Sequence, residues 1–126
     1  MSGYSIDIEK KSIDNTNFRE VLYTAPHLQL VVMSLKPGEE IGMETHEHGD
    51  QFFRVEAGEG EAILDGETHK LSDGSIVIIP EKVEHNIINT SADKDLKVYT
   101  IYTPPEHKDG TVHKTKAEAD AAEEAE

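Results

Sequence analysis

Short apolar and β-branched segments recur along most of the chain, and turn-forming residues separate them at intervals of about ten residues. Pro-Gly and Asp-Gly pairs form many of these turns, as at Pro37-Gly38 and Asp73-Gly74. This pattern is typical of an all-β sandwich or small barrel, and it predicts about ten strands over residues 4–103. The clearest segments are residues 18–24, 28–35, 61–64, 67–71, 76–79, 86–89 and 96–102.

Two local signals sharpen this prediction. Asp65-Gly66 separates two of the segments and favours a β-hairpin with a two-residue turn. After Pro104-Pro105, residues 116–126 alternate Ala with Glu and Asp, which predicts a short helix near residues 116–123. We therefore expect one β-domain over residues 1–110 and a polar, acidic tail over residues 111–126.

Composition narrows the class of protein. The chain has 126 residues, enough for one domain, and its formal net charge of −14 would repel the phosphates of nucleic acid. It has no cysteine, so a metal ion would be held by His, carboxylate or amide groups. With no signal peptide and no apolar run of membrane-spanning length, we expect a cytoplasmic protein that does not associate with membranes.

Three histidines are candidate metal ligands. His46 and His48 would point to the same side of an extended backbone, because side chains alternate across a strand. His85 lies in a second patterned segment, and a barrel could bring it to the same place. Imidazoles suit Zn, Cu, Fe or Ni, although hydrogen-bonded barrel histidines without a metal are the alternative. We expect His27, His69 and His107 to lie on the surface and His113 to make a structural contact in the tail.

The spacing around these histidines resembles the two conserved motifs of the cupin superfamily. Residues 42–58 resemble the first motif, and Gly74, Pro80, His85 and Asn89 match the second. The resemblance implies a jelly-roll β-barrel that holds one divalent transition metal ion (Zn, Ni, Fe, Mn or Cu). Transferred to this chain, the ligands are His46, His48, Gln51 and His85.

Gln51 departs from the family pattern, which has a glutamate at this place. Strand register favours Gln51 as the residue that faces the interior. An inward Gln51 puts Phe53 and Val55 inside as well, whereas a shift by one residue buries several charges. Gln51 could instead hydrogen-bond a ligating histidine, and Glu44 or Glu47 could supply a carboxylate. A second departure is Lys82, which occupies a turn position where the family has glycine.

The resemblance leaves several functions open. A metal in a barrel mouth could act on a small oxygen-rich molecule, either by isomerase-like Lewis-acid chemistry or as a dioxygenase. The barrel could also bind a small ligand or sense a metal without turnover. Only Arg54 and Lys82 are basic near the motifs, so a phosphorylated substrate lacks an obvious anchor. Residues 18–24 and 28–35 are apolar on both faces, which predicts a homodimer.

Overall fold

The chain folds into two antiparallel sheets with one short helix near each end, in a computed structural model that describes residues 2–124. The helices are α1 (Ile8–Asp14) and α2 (Lys116–Glu124). The strands are β1 (Arg19–Thr24), β2 (Gln29–Leu35), β3 (Asp50–Ala57), β4 (Gly60–Leu64), β5 (Glu67–Leu71), β6 (Ile76–Ile79), β7 (His85–Asn89), β8 (Leu96–Thr103) and β9 (Val112–His113). The all-β jelly-roll with a short C-terminal helix is confirmed.

The two sheets enclose the core. The larger has the order β6-β3-β8-β2-β1-β9 and the smaller the order β5-β4-β7. Inward-facing positions alternate along the strands, as in β2, where Val31, Met33 and Leu35 are fully buried. Burying side chains of this size stabilises the fold by about 1.5–3 kcal/mol each. Residues 40 and 44 form isolated bridges to β7, so the segment before β3 extends the smaller sheet at one edge.

The hairpin between β4 and β5 is confirmed. Leu64 pairs with Glu67, and the two turn residues, Asp65 and Gly66, have φ of 47° and 83°. Positive φ at both central positions is what a type I′ turn requires, and its twist matches that of the flanking strands.

Helix α1 was not predicted, and it covers part of the outer face of the larger sheet. Asp7 caps it by accepting a hydrogen bond from the backbone N–H of Lys10. The helix packs against β2, β3 and β8, and Lys97 Nζ donates to the carbonyl of Asn15 just after it. Val32 faces away from the barrel core and is nevertheless completely buried. Some of the two-sided apolarity of β2 is therefore covered within the chain, and the homodimer stays a prediction.

Residues beyond position 110 also contact the barrel. β9 pairs with β1 and so forms one edge of the larger sheet. Ala119 of α2 is almost completely buried and belongs to the hydrophobic core cluster. Glu118, in the first turn of α2, accepts a hydrogen bond from the backbone N–H of Lys114.

Lys82 adopts the backbone conformation that the turn before β7 requires. Its φ is +70°, and its backbone N–H donates to the carbonyl of His46 at 2.7 Å. The lysine thus takes the left-handed conformation that glycine would adopt at lower energy. Its side chain is exposed, so a substitution there removes little packing.

We expect Lys82→Gly to raise the free energy of unfolding by about 0.5–1 kcal/mol, because relief of the left-handed strain exceeds the backbone entropy lost by glycine. Urea denaturation measures the change. Lys94→Gly is the matched control, since Lys94 is also exposed but has no positive φ. The control should lose about 0.5–1 kcal/mol. Equal destabilisation by both substitutions would contradict the prediction.

Candidate metal site

Glu44, His46 and His85 converge inside one end of the barrel. One potential ligand atom from each lies within 4.8 Å of the others, and the two imidazole rings are 5.1 Å apart. Glu44 and His85 are held directly opposite each other by two reciprocal backbone hydrogen bonds of 2.8 Å. His46 follows Glu44 by two residues and therefore points to the same side. The group combines two imidazoles with one carboxylate.

A hydrogen bond orients the imidazole of His85, and two carboxylates flank that of His46. His85 Nδ1 lies 2.9 Å from the carbonyl of Val83, which makes Nδ1 the protonated nitrogen and leaves the Nε2 lone pair free. His46 Nδ1 lies 3.6 Å from Glu106 Oε1, and its Nε2 lies 3.3 Å from Glu44 Oε2. A carbonyl or carboxylate on one ring nitrogen is the usual support of a metal-binding histidine, because it directs the other nitrogen to the ion.

Gln51 presents its oxygen to the same region. The side chain is 4% exposed, and Nε2 donates to Thr100 Oγ1 at 3.0 Å, so the amide orientation leaves Oε1 facing inward. Oε1 has no hydrogen-bond partner, and neither has the buried Nε2 of His46. The two side chains are close enough for Gln51 to contribute to the raised pKa of His46, but they are not aligned for a hydrogen bond. A carbonyl oxygen and an imidazole nitrogen that are both buried without partners fit a bound cation, which would displace any proton from the nitrogen.

Electrostatics couple Glu44 to His46. The carboxylate of Glu44, whose Oε2 lies 3.3 Å from His46 Nε2, raises the pKa of His46 against the opposing effect of burial. Burial alone would raise the pKa of Glu44, but the neighbouring imidazole of His46, helped by the charge of Arg19, outweighs it and lowers that pKa. The carboxylate is therefore anionic at neutral pH, which is the form that binds a metal.

His48 lies apart from this group. It is exposed, and the three residues that converge do not include it. Residues 47–49 bend away after His46, and Gly49 has φ of +101°. Alternation across an extended backbone therefore joins Glu44 to His46, whereas the bend separates His46 from His48. The spacing Glu44-x-His46 was the signal in the sequence for this carboxylate.

A family model described as a cupin domain matches residues 31–102, more than half of the chain. The chain belongs to the cupin family. It is 41% identical over 127 residues to the uncharacterized protein YrkC of Bacillus subtilis, covering 96% of this chain and 68% of that protein. It is 39% identical over 112 residues to the uncharacterized protein L612 of Acanthamoeba polyphaga mimivirus, covering 86% and 70%.

Solved structures are similar to nearly the whole of this chain. The crystal structure of BH2720 from Bacillus halodurans matches with a TM-score of 0.91 and 41% identity, covering 94% of this chain and 93% of that one. The structure of KdgF from Halomonas sp. matches with a TM-score of 0.65 and 26% identity, covering 70% and 78%. Within residues 2–124, no helix of the cupin is long and apolar enough to cross a membrane.

A loop after β8 folds over the mouth of the cupin barrel. Its His107 was predicted to lie on the surface, but it is partly buried. The fully buried Gln29 holds this loop, because its side chain accepts from the N–H of His107 and donates to its carbonyl at 2.7 Å. The ring of His107 packs edge-on against Tyr102, with Nε2 3.3 Å from the phenol oxygen. Such long-range bonding leaves no local signal in the sequence.

The burial of His107 predicts how the free energy of unfolding depends on pH. Burial lowers the pKa of His107 to about 4, helped by the charge of Arg19. Above pH 6.5 the ring is neutral in both folded and unfolded protein, whereas between pH 6.5 and about 4 only the unfolded chain takes up the proton. We therefore expect His107 to lower the free energy of unfolding by about 1–2 kcal/mol at pH 5 relative to pH 7.5, allowing for the partly exposed ring.

Urea denaturation of the wild type and His107→Asn at both pH values isolates this contribution. The variant should lose less stability than the wild type between pH 7.5 and 5. His27→Asn, at an exposed turn, is the matched control and should keep the wild-type pH dependence. The same pH dependence in His107→Asn and the wild type would contradict the prediction.

Proposed function

We propose that this cupin holds one divalent transition metal ion on Glu44, His46 and His85, and that it binds a small oxygen-rich molecule at the barrel mouth. The observation that carries the proposal is the pair of buried polar atoms without hydrogen-bond partners, His46 Nε2 and Gln51 Oε1, beside the anionic Glu44. The metal would supply Lewis-acid polarisation of a bound oxygen. His48 could join the ligands only if the bend at residues 47–49 rearranged.

The protein's own groups complete the site. Thr100 holds the amide of Gln51, and Glu106 lies against His46 Nδ1, so both side chains are oriented from outside the ligand group. Tyr102 and Gln51 are almost completely buried, which excludes bulk water from the inner side. Burial raises the pKa of Tyr102, so its hydroxyl remains a hydrogen-bond donor at neutral pH. This arrangement favours redox-neutral, isomerase-like chemistry on a small hydroxy-carbonyl compound.

A metal-dependent dioxygenase is the second candidate, and one observation favours it. Two histidines and one carboxylate form the ligand type of non-haem Fe(II) oxygenases. A glutamine at position 51 would leave the motif without the carboxylate of this ligand type, but Glu44 Oε2 lies 3.3 Å from His46 Nε2 and could supply it. A barrel that only binds a ligand or metal is the non-catalytic alternative.

Metal content and a turnover screen distinguish these functions. Protein purified without chelator should contain about one transition metal ion per chain by mass spectrometry. The protein is then loaded with Zn, Ni, Mn or Fe(II) and screened with sugars and enediol compounds, with and without oxygen. Turnover without oxygen supports the isomerase-like function, and oxygen consumption with Fe(II) supports the dioxygenase. Stoichiometric metal with ligand binding but no turnover supports the non-catalytic alternative, and protein that takes up no metal refutes the proposal.

Gln51→Glu should tighten metal binding by about ten-fold or more, because the substitution places a second carboxylate at an ion that the wild type meets with a neutral amide. Competition with a chromophoric chelator measures the affinity. Thr68→Glu adds the same charge at an exposed position of β5 and controls for the change in net charge. Unchanged affinity in Gln51→Glu, in a folded protein, would show that Gln51 does not ligate the ion.

A further inference from the structure

The side chain of Arg19 is the least expected feature of the barrel. Arg19 begins β1, faces inward, and is only 2% exposed. Nη1 lies 3.3 Å from His113 Nδ1, and the guanidinium carbon lies 5.4 Å from the centre of the Phe18 ring. Nε is buried without a hydrogen-bond partner. Among the side chains of residues 2–123, no carboxylate lies within 4 Å of this guanidinium.

A buried guanidinium without a carboxylate in direct contact is unfavourable, although the charge of Glu44 acts on it from a greater distance. Arginine stays charged at any physiological pH, so it cannot relieve desolvation by losing a proton. Neither a histidine nor an aromatic ring neutralises its charge. Its donors form a planar fork that matches the two oxygens of a carboxylate, and an anion bound there would satisfy both the charge and the orphan Nε.

Arg19 faces a cavity where such an anion can enter. The cavity has a volume of about 560 Å³, and Lys108, Thr111 and His113 line it with Arg19. Glu106 and His107 also line it, and they join it to the proposed metal site. Glu106 lies 3.6 Å from His46, while His107 touches Tyr102 on the inner side. A single small molecule could therefore reach from Arg19 towards the Glu44–His46–His85 group.

We propose that Arg19 binds the carboxylate of a small hydroxy or keto acid whose other oxygens face the metal site. The position of the other oxygens at the metal rests on the proposed function, whereas the carboxylate site at Arg19 does not require a metal. A monoanion fits better than a phosphate, because Glu106 and Glu123 also line the cavity and their charges offset those of Arg19 and the exposed Lys108. Arg19 thus supplies an anchor for an anionic substrate, which Arg54 and Lys82 near the motifs do not provide.

The test uses lactate, its neutral amide lactamide, and inorganic phosphate as probes. Nuclear magnetic resonance follows the Nε–H signal of Arg19 in the wild-type protein, with and without added zinc. We expect lactate to shift this signal and to bind at least about ten-fold more tightly than lactamide and phosphate. Equal affinity for lactate and lactamide, or tighter binding of phosphate, would overturn the proposal. This comparison requires no variant to fold.

Two charge-matched variants complete the test. Arg19→Gln should weaken lactate binding at least about ten-fold, and Lys108→Gln should change it by less than about three-fold, although both remove one positive charge. Wild-type lactate affinity in a folded Arg19→Gln protein would refute the role of Arg19. Metal content separates the two proposals, since Arg19→Gln should keep its zinc stoichiometry. Lactate that binds through Arg19 to protein unable to hold zinc would leave the carboxylate site standing and refute the proposed function.

Discussion

His85→Ala should reduce bound metal from about one ion per chain to near zero, with an affinity loss of more than about 100-fold. Removing only an outer partner of a metal ligand costs 10–100-fold, so loss of a ligating imidazole should cost more. Glu44→Gln should also weaken binding severely, since it removes the one anionic ligand while keeping the shape of the side chain. Metal content by mass spectrometry and titration calorimetry measure both effects.

Two controls make this result interpretable. His85 is 3% exposed, so His85→Gln, which keeps more of the buried volume, and circular dichroism separate loss of metal from loss of fold. His69→Ala removes an exposed histidine from β5 and should leave metal content unchanged. His48→Ala decides between the two ligand sets. If His48→Ala removes the metal and Glu44→Gln does not, the set predicted from the motifs is right and Glu44 is not a ligand.

Gly49→Ala should lower the free energy of unfolding by about 2–5 kcal/mol, because it combines backbone strain with steric overlap. Gly49 has φ of +101°, and a Cβ there would overlap the carbonyl of Thr103 and the ring of Pro104. These neighbours belong to the end of β8 and the loop that follows, so the chain cannot move aside without disturbing the barrel mouth. Urea denaturation measures the loss.

Gly74→Ala is the matched control. Gly74 also has a positive φ, +91°, but a Cβ there would meet nothing within 4 Å. Its substitution should cost about 1–2 kcal/mol from backbone conformation alone. The difference between the two variants isolates the close approach at Gly49, and equal losses would contradict it.

The sequence by itself determined the features that depend on short-range pattern. The turn spacing predicted about ten strands over residues 4–103, where eight form after α1. Asp65-Gly66 predicted the hairpin, and alternation placed Gln51 inside with Phe53 and Val55. These predictions succeed because turn conformation and the two-residue period of a strand depend on neighbouring residues alone.

Only the tertiary structure decided which polar groups meet. Glu56 lies on the same side of β3 as Arg54, which donates to its carboxylate at 2.6 Å, and it is nevertheless buried in a sheet against which α1 packs. Glu44 joins His46 and His85 because it bridges β7, whereas the bend at residues 47–49 turns His48 outward. Arg19 enters the barrel from β1, remote in sequence from both motifs. Each outcome depends on pairing or packing with distant segments of the chain, and the polarity of a residue alone does not report those contacts.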